Sequence, residues 1–178
     1  MEVLIVGKEE KHNPRLEQNK PDEPMPMIAK VVVTGLFGGL FWSLLNYLAY
    51  IFNFTEISPN LVLQPWTVGE WKDRVLGQFI GIAVIGVLSI GVALLYYALL
   101  RRFQKIWVGM IFGVALWILV FYILNPIFPG LKSLADLDRN TNITTICFYI
   151  LYGVFIGYSI SFETTELANQ KRVLAANE

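Results

Sequence analysis

Four stretches of this chain are long, apolar and nearly free of charge: residues 28–52, 75–100, 106–124 and 143–162. A transmembrane helix needs about 20 mainly apolar residues. Lys30, one turn into the first stretch, is the one charge within these bounds, and its stem is long enough to carry the ammonium to the headgroups. A charge at the centre of a span costs about 2.5–3.5 kcal/mol on insertion scales. The pattern therefore predicts an all-α integral membrane protein, a compact bundle of four transmembrane helices occupying residues 27–162. Residues 1–26 carry Lys8, Glu9, Glu10, Lys11 and Arg15, then Pro21, Pro24 and Pro26, and are expected to form a disordered tail. Residues 163–178 are expected to form a short second tail.

Lys and Arg are distributed unevenly around the spans. The N-terminal tail through Lys30, the short link between the second and third stretches, and the C-terminal tail hold ten, whereas the other two connections hold four. The link, with Arg101, Arg102 and Lys105, weighs most because short loops follow the positive-inside rule best. Both termini are therefore expected in the cytoplasm. The start of the chain lacks the basic-then-apolar order of a signal peptide, so the first span is expected to serve as the insertion signal. The connection 53–74 mixes Pro59, Pro65, Trp66 and Trp71 with Ile57, Leu61, Val62 and Leu63, which suits a segment lying in the interface.

Each stretch contains a Gly-x-x-x-Gly: Gly35/Gly39, Gly77/Gly81, Gly109/Gly113 and Gly153/Gly157. Small residues four apart let helix backbones approach closely in lipid, where no hydrophobic effect draws helices together. Three of the four pairs lie toward the tail-bearing side, so the bundle should be tightest there. In the first stretch Gly35, Gly39, Ser43 and Asn46 share one face. Asn46 needs a hydrogen-bonding partner in hydrocarbon, and Gln78 at a similar depth is the expected one.

Composition narrows the chemistry. The chain is 55% hydrophobic and only 16% charged, against about 25% charged in soluble domains. Its net charge of zero provides no basic field for nucleic acid. One cysteine, Cys147, and one histidine, His12, exclude an intrachain disulfide, a Cys/His zinc site and a Cys-His nucleophile pair. Asp136, Asp138, Asn140 and Asn142 alternate as in a calcium loop, but Thr141 and Cys147 stand where that loop needs glycine and glutamate. A short helix capped by Ser133, with Asp136 as its box partner, is the expected structure there. Cys147 is expected to be a small packing residue. No catalytic residue, metal site or cofactor is expected.

The segments Val32-Val33-Thr34-Gly35, Phe37-Gly38-Gly39, Trp42-Ser43-Leu44 and Phe52-Asn53-Phe54-Thr55-Glu56-Ile57-Ser58-Pro59-Asn60 resemble the YqhR family of small bacterial membrane proteins. The likeness runs from about Met27 to Phe162. It implies a bacterial plasma membrane and carries no assigned activity. The expected function is non-catalytic, through helix–helix association with a second copy or another membrane protein. The alternative is a small transporter or channel for a neutral or lipid-like solute.

Overall fold

The computed structural model describes residues 25–66, 69–103, 105–128, 131–132, 134 and 136–176. Four helices are long and apolar enough to cross a membrane. They are α1 (Met27–Ile51), α2 (Val75–Leu100), α3 (Ile106–Ile118, extended by a π turn over Leu119–Ile123) and α4 (Arg139–Ala176). Among the described residues there is no strand. The expected N-terminal tail lies outside the described residues up to position 24.

The helix ends have local causes. Asn53 adopts φ +58°, the left-handed conformation that asparagine tolerates better than most residues and that closes helices. Phe54 N–H then returns to the Ala49 carbonyl at 2.8 Å. Near the end of α3 the ring of Pro126 disfavours continuation of the α-helix, and the last turn widens, with Leu124 N–H bonded to the Leu119 carbonyl at 2.9 Å. The Asp138 carboxylate accepts from the N–H of Asn140 at 3.2 Å and caps α4. Leu134, Asp136 and Leu137 form turns and a bend where a short helix was expected. Ser133, its expected cap, lies outside the described residues.

α4 does not stop where its apolar stretch stops. Residues 163–176, read from sequence as a tail, continue the helix. Glu, Leu, Ala, Gln, Lys and Arg dominate that segment, with neither Gly nor Pro, so nothing in it breaks a helix. At about 1.5 Å per residue α4 is about 57 Å long, far more than the roughly 30 Å hydrocarbon core.

The helices pack as two pairs. α1 lies along α2, α3 lies along α4, and α1 against α4 joins the pairs. α2 and α3 are consecutive and joined by a short link, yet they share almost no backbone contact. Their meeting point is a T-shaped pair of Tyr96 and Phe112, with ring centroids 5.0 Å apart. These rings belong to the main core, with Val31, Ala93, Leu116, Ile156 and Ile160. That core sits in the half of the bundle nearer the chain ends. In the other half the two pairs diverge.

Candidate functional site

The connection between α1 and α2 roofs the divergent half. Its 3-10 turn, Pro59–Leu63, buries Pro59, Asn60 and Leu63 against the first turns of α2. A Cβ on Gly81 would stand 2.5 Å from the Pro59 carbonyl oxygen and 2.9 Å from the Asn60 nitrogen. The second Gly-x-x-x-Gly thus seats a loop backbone at Gly81, with Gly77 buried one turn away, and does not serve a helix crossing. Non-helical backbone at membrane depth needs its polar groups met by protein. Asn46 Nδ2 donates to the Ile57 carbonyl at 3.1 Å, and Gln78 Oε1 accepts from the Asn60 N–H at 3.4 Å. The expected pairing of Asn46 with Gln78 is therefore replaced. Each amide satisfies the roof, because an unpaired loop carbonyl or N–H is as demanding in hydrocarbon as the side chain itself. Asn60 Nδ2 reaches the Asp73 carboxylate at 3.2 Å. Glu56 N–H donates to Thr141 Oγ1 on α4 at 3.0 Å, and Lys132 Nζ meets Glu56 Oε2 at 2.7 Å. The roof is fastened to both helix pairs.

Beneath it, between α2 and α3, lies a cavity of about 500 Å³. This is within the size range of small-molecule sites, about 300–1,000 Å³. Gly39, Trp42 and Asn46 of α1, Leu88 and Val92 of α2, Leu119 and Val120 of the π turn, and Phe148 of α4 are among its walls. None of the lining residues is charged. Leu88 and Leu95 of α2 and Leu119 of α3 are lining residues that are also exposed on the outside of the bundle. The cavity therefore opens sideways, where hydrocarbon surrounds a membrane-embedded bundle. Tyr96 and Phe112 meet one turn beyond the lining residues Val92 and Leu116.

Few polar groups reach this space. Ser43 Oγ returns to its own helix at the Leu40 carbonyl, 3.1 Å away. Ser89 Oγ donates to the Gly35 carbonyl at 2.7 Å and is hydrogen-bonded to the Tyr152 hydroxyl. Since Ser89 gives its proton to Gly35, Tyr152 supplies the proton of their shared bond. Tyr149, one turn from Tyr152 on the same face of α4, lines the cavity and is only half-buried. Ser89, Tyr149 and Tyr152 did not stand out in sequence, where each is a lone polar group in an apolar run. The three-residue spacing of the tyrosines was the available signal.

The remaining glycines face their own chain. A Cβ on Gly35 would be 2.7 Å from Ala93 Cβ, one on Gly39 2.9 Å from Gly86 Cα, one on Gly109 2.8 Å from the Gly153 oxygen, and one on Gly157 3.1 Å from Gly109 Cα. Gly113 and Gly153 also abut backbone across the α3–α4 crossing. Gly91, which lines the cavity, has nothing within 4 Å of a Cβ.

Arg101, Arg102 and Lys105 are exposed at the α2–α3 link, with the Arg101 guanidinium 5.3 Å from the Tyr97 ring centre. Trp66 and Trp71 are exposed at the opposite end. Lys30 is ion-paired with Glu163 of α4 instead of reaching headgroups alone, a contact hidden from sequence because 133 residues separate the partners. Cys147 is exposed, so it does not fill a gap in the core as expected. Among the described residues no cluster of His, Cys, Asp or Glu could hold a metal. Asp138 and Asn142 serve the start of α4, Asn142 Nδ2 donating to the Leu134 carbonyl at 3.2 Å.

No solved structure matches this chain. It is 50% identical over 170 residues to "Uncharacterized protein YqhR" of Bacillus subtilis (strain 168), an alignment covering 95% of this chain and 94% of that protein. The model of the family described as "Conserved membrane protein YqhR" matches residues 10–175, so the likeness reaches into both terminal segments, beyond residues 27–162. The chain belongs to the YqhR family of conserved membrane proteins, which has no assigned catalytic activity.

Proposed function

We propose that this protein binds a lipid-like molecule taken sideways from the bilayer into the cavity between α2 and α3, and that it does so without catalysing a reaction. The observation that carries this reading is a space of about 500 Å³ with no charged lining residue, between two helices whose backbones hardly touch. A wall without charge cannot compensate an ion removed from water, which favours an uncharged occupant. The roof over residues 57–63 turns the entrance away from the aqueous side and toward hydrocarbon.

Positive charge at Arg101, Arg102 and Lys105 favours a bacterial plasma-membrane orientation with both chain ends in the cytoplasm. The cavity then lies in the outer half of the bilayer. The described Gly-x-x-x-Gly positions are taken up by α1–α2, α1–α4 and α3–α4 contacts or by the roof, so association with a second copy or another membrane protein, the first expectation from sequence, would use other surfaces.

The test is extraction and mass spectrometry of lipid retained by the full chain purified in mild detergent, compared with Gly91→Phe and Val120→Phe. These substitutions narrow the cavity from its two sides. The reading expects about one retained lipid per chain, lost in both variants while helical content is unchanged. Equal lipid content in all three, or a stoichiometric protein partner seated between α2 and α3, would remove it.

A further inference from the structure

Resting on the cavity reading above, we infer that the Tyr149 hydroxyl is the recognition group for the bound lipid, and that this lipid carries an uncharged oxygen, an ester, ketone or alcohol, inside the hydrocarbon below the outer headgroups. Tyr149 makes no hydrogen bond among the described residues, and its hydroxyl is not among the buried, unsatisfied atoms. On a residue that lines the cavity, that leaves a donor which no described group takes up. The other unmet donor on the lining, the Trp42 indole N–H, is buried without an acceptor and covered by protein atoms, so a ligand does not reach it.

An unpaired hydroxyl in an apolar wall is unfavourable unless something completes it. Neighbouring groups do not. Ser89 is committed to Gly35 and Tyr152, Ser43 to Leu40, and Thr145 Oγ1 to the Thr141 carbonyl at 2.8 Å. Tyr152 has given its proton to Ser89 but keeps oxygen lone pairs, so the tyrosine pair offers one donor and one acceptor on one face of α4. A single neutral oxygen function matches that offer.

Depth selects further. Tyr149 lies six residues into the apolar stretch 143–162, about 9 Å along the helix and hence well inside the outer half of a roughly 30 Å core. The headgroup and ester linkages of a bilayer phospholipid lie at the interface, so they do not reach Tyr149 while the phosphate stays in water. The fitting ligand keeps its only polar group inside the hydrocarbon.

The experiment is a mole-fraction titration of the full-length protein in detergent micelles with four 16-carbon probes: hexadecane, hexadecanol, methyl palmitate and palmitate. Thermal stability reports binding, in the wild type and in Tyr149→Phe. Hexadecanol and methyl palmitate should bind the wild type about three- to tenfold more tightly than hexadecane, the range for one net hydrogen bond. Tyr149→Phe should erase that margin, leave hexadecane unchanged, and leave the ligand-free protein as stable or slightly more so. Equal binding of the three neutral probes in both proteins would overturn the role of Tyr149 while the cavity reading stands. Preference for palmitate, or a less stable ligand-free Tyr149→Phe, would also overturn it. Binding of none of the probes would remove the cavity reading and this inference together.

Discussion

The crossing of α3 and α4 makes a quantitative prediction about two alanine substitutions of opposite sign. In Gly153→Ala the new methyl would stand 2.6 Å from Gly113 N and 2.7 Å from Gly113 Cα, with Gly109 O also in the way. All are backbone atoms, so no side chain can turn aside, and the helices must part by several tenths of an ångström along a face where Gly109, Gly113 and Gly157 also fit closely. Overpacking of this kind costs about 1–3 kcal/mol, against which alanine's better helix preference returns about 1 kcal/mol. The net expectation is a loss of up to about 2 kcal/mol. Gly91→Ala has the same gain in helix preference and meets no atom within 4 Å, so it should be neutral or stabilising by up to about 1 kcal/mol. Because the gain in helix preference is common to both, the two variants should differ by the overpacking cost alone, about 1–3 kcal/mol, a factor of about 5 to 160 in the unfolding equilibrium. Reversible unfolding of the purified protein with increasing SDS mole fraction, followed by far-ultraviolet circular dichroism, measures this directly. A Gly153→Ala protein as stable as Gly91→Ala would refute the account of the crossing.

Other contacts give independent tests. Asn46→Leu should leave the Ile57 carbonyl unmet at a cost of about 1–3 kcal/mol, seen as faster amide exchange across residues 57–63; Gln78→Leu should do less, because its bond to Asn60 is long at 3.4 Å. The Lys30–Glu163 pair ties the start of α1 to α4 while only partly exposed, so a double-mutant cycle with Lys30→Met and Glu163→Gln should show favourable coupling of about 1 kcal/mol. Absence of coupling at low salt would mean that the pair holds nothing together. The hydrogen bond from Lys132 to Glu56, and the Glu56 charge, raise the Lys132 pKa above its ordinary value. The raised value means that this contact supports the fold at neutral pH and fades only as pH climbs through the shifted Lys132 titration. Glu56→Gln should move that titration, followed by NMR of the lysine side chain, to lower pH.

Much of the fold was legible in the pattern along the chain, for a reason specific to membranes. Hydrocarbon accepts a backbone only when its hydrogen bonds are closed within the segment, which demands long uncharged helical runs that sequence displays openly. The four spans followed, and Gly109, Gly113, Gly153 and Gly157 fall on facing helices. The extent of α4 was less legible. Apolar content marks where a helix is in lipid and says nothing about where helix formers carry it onward, as they do from Glu163 to Ala176.

Tertiary structure alone decided what each small or polar residue meets. Gly81 has the same spacing motif as Gly35, yet one receives the Pro59 carbonyl and the other Ala93. Asn46 and Gln78 lie at matching depths, yet the loop between them takes both. Every span carries large apolar side chains on its exposed side as well as in the core, so hydropathy alone does not distinguish the face turned to lipid from the face turned to a neighbour. The separation of α2 from α3, the cavity it leaves and the place of Tyr149 on its wall arise from how the two helix pairs diverge beyond Tyr96 and Phe112. That geometry is set by side-chain volumes meeting in three dimensions, which no one-dimensional pattern encodes.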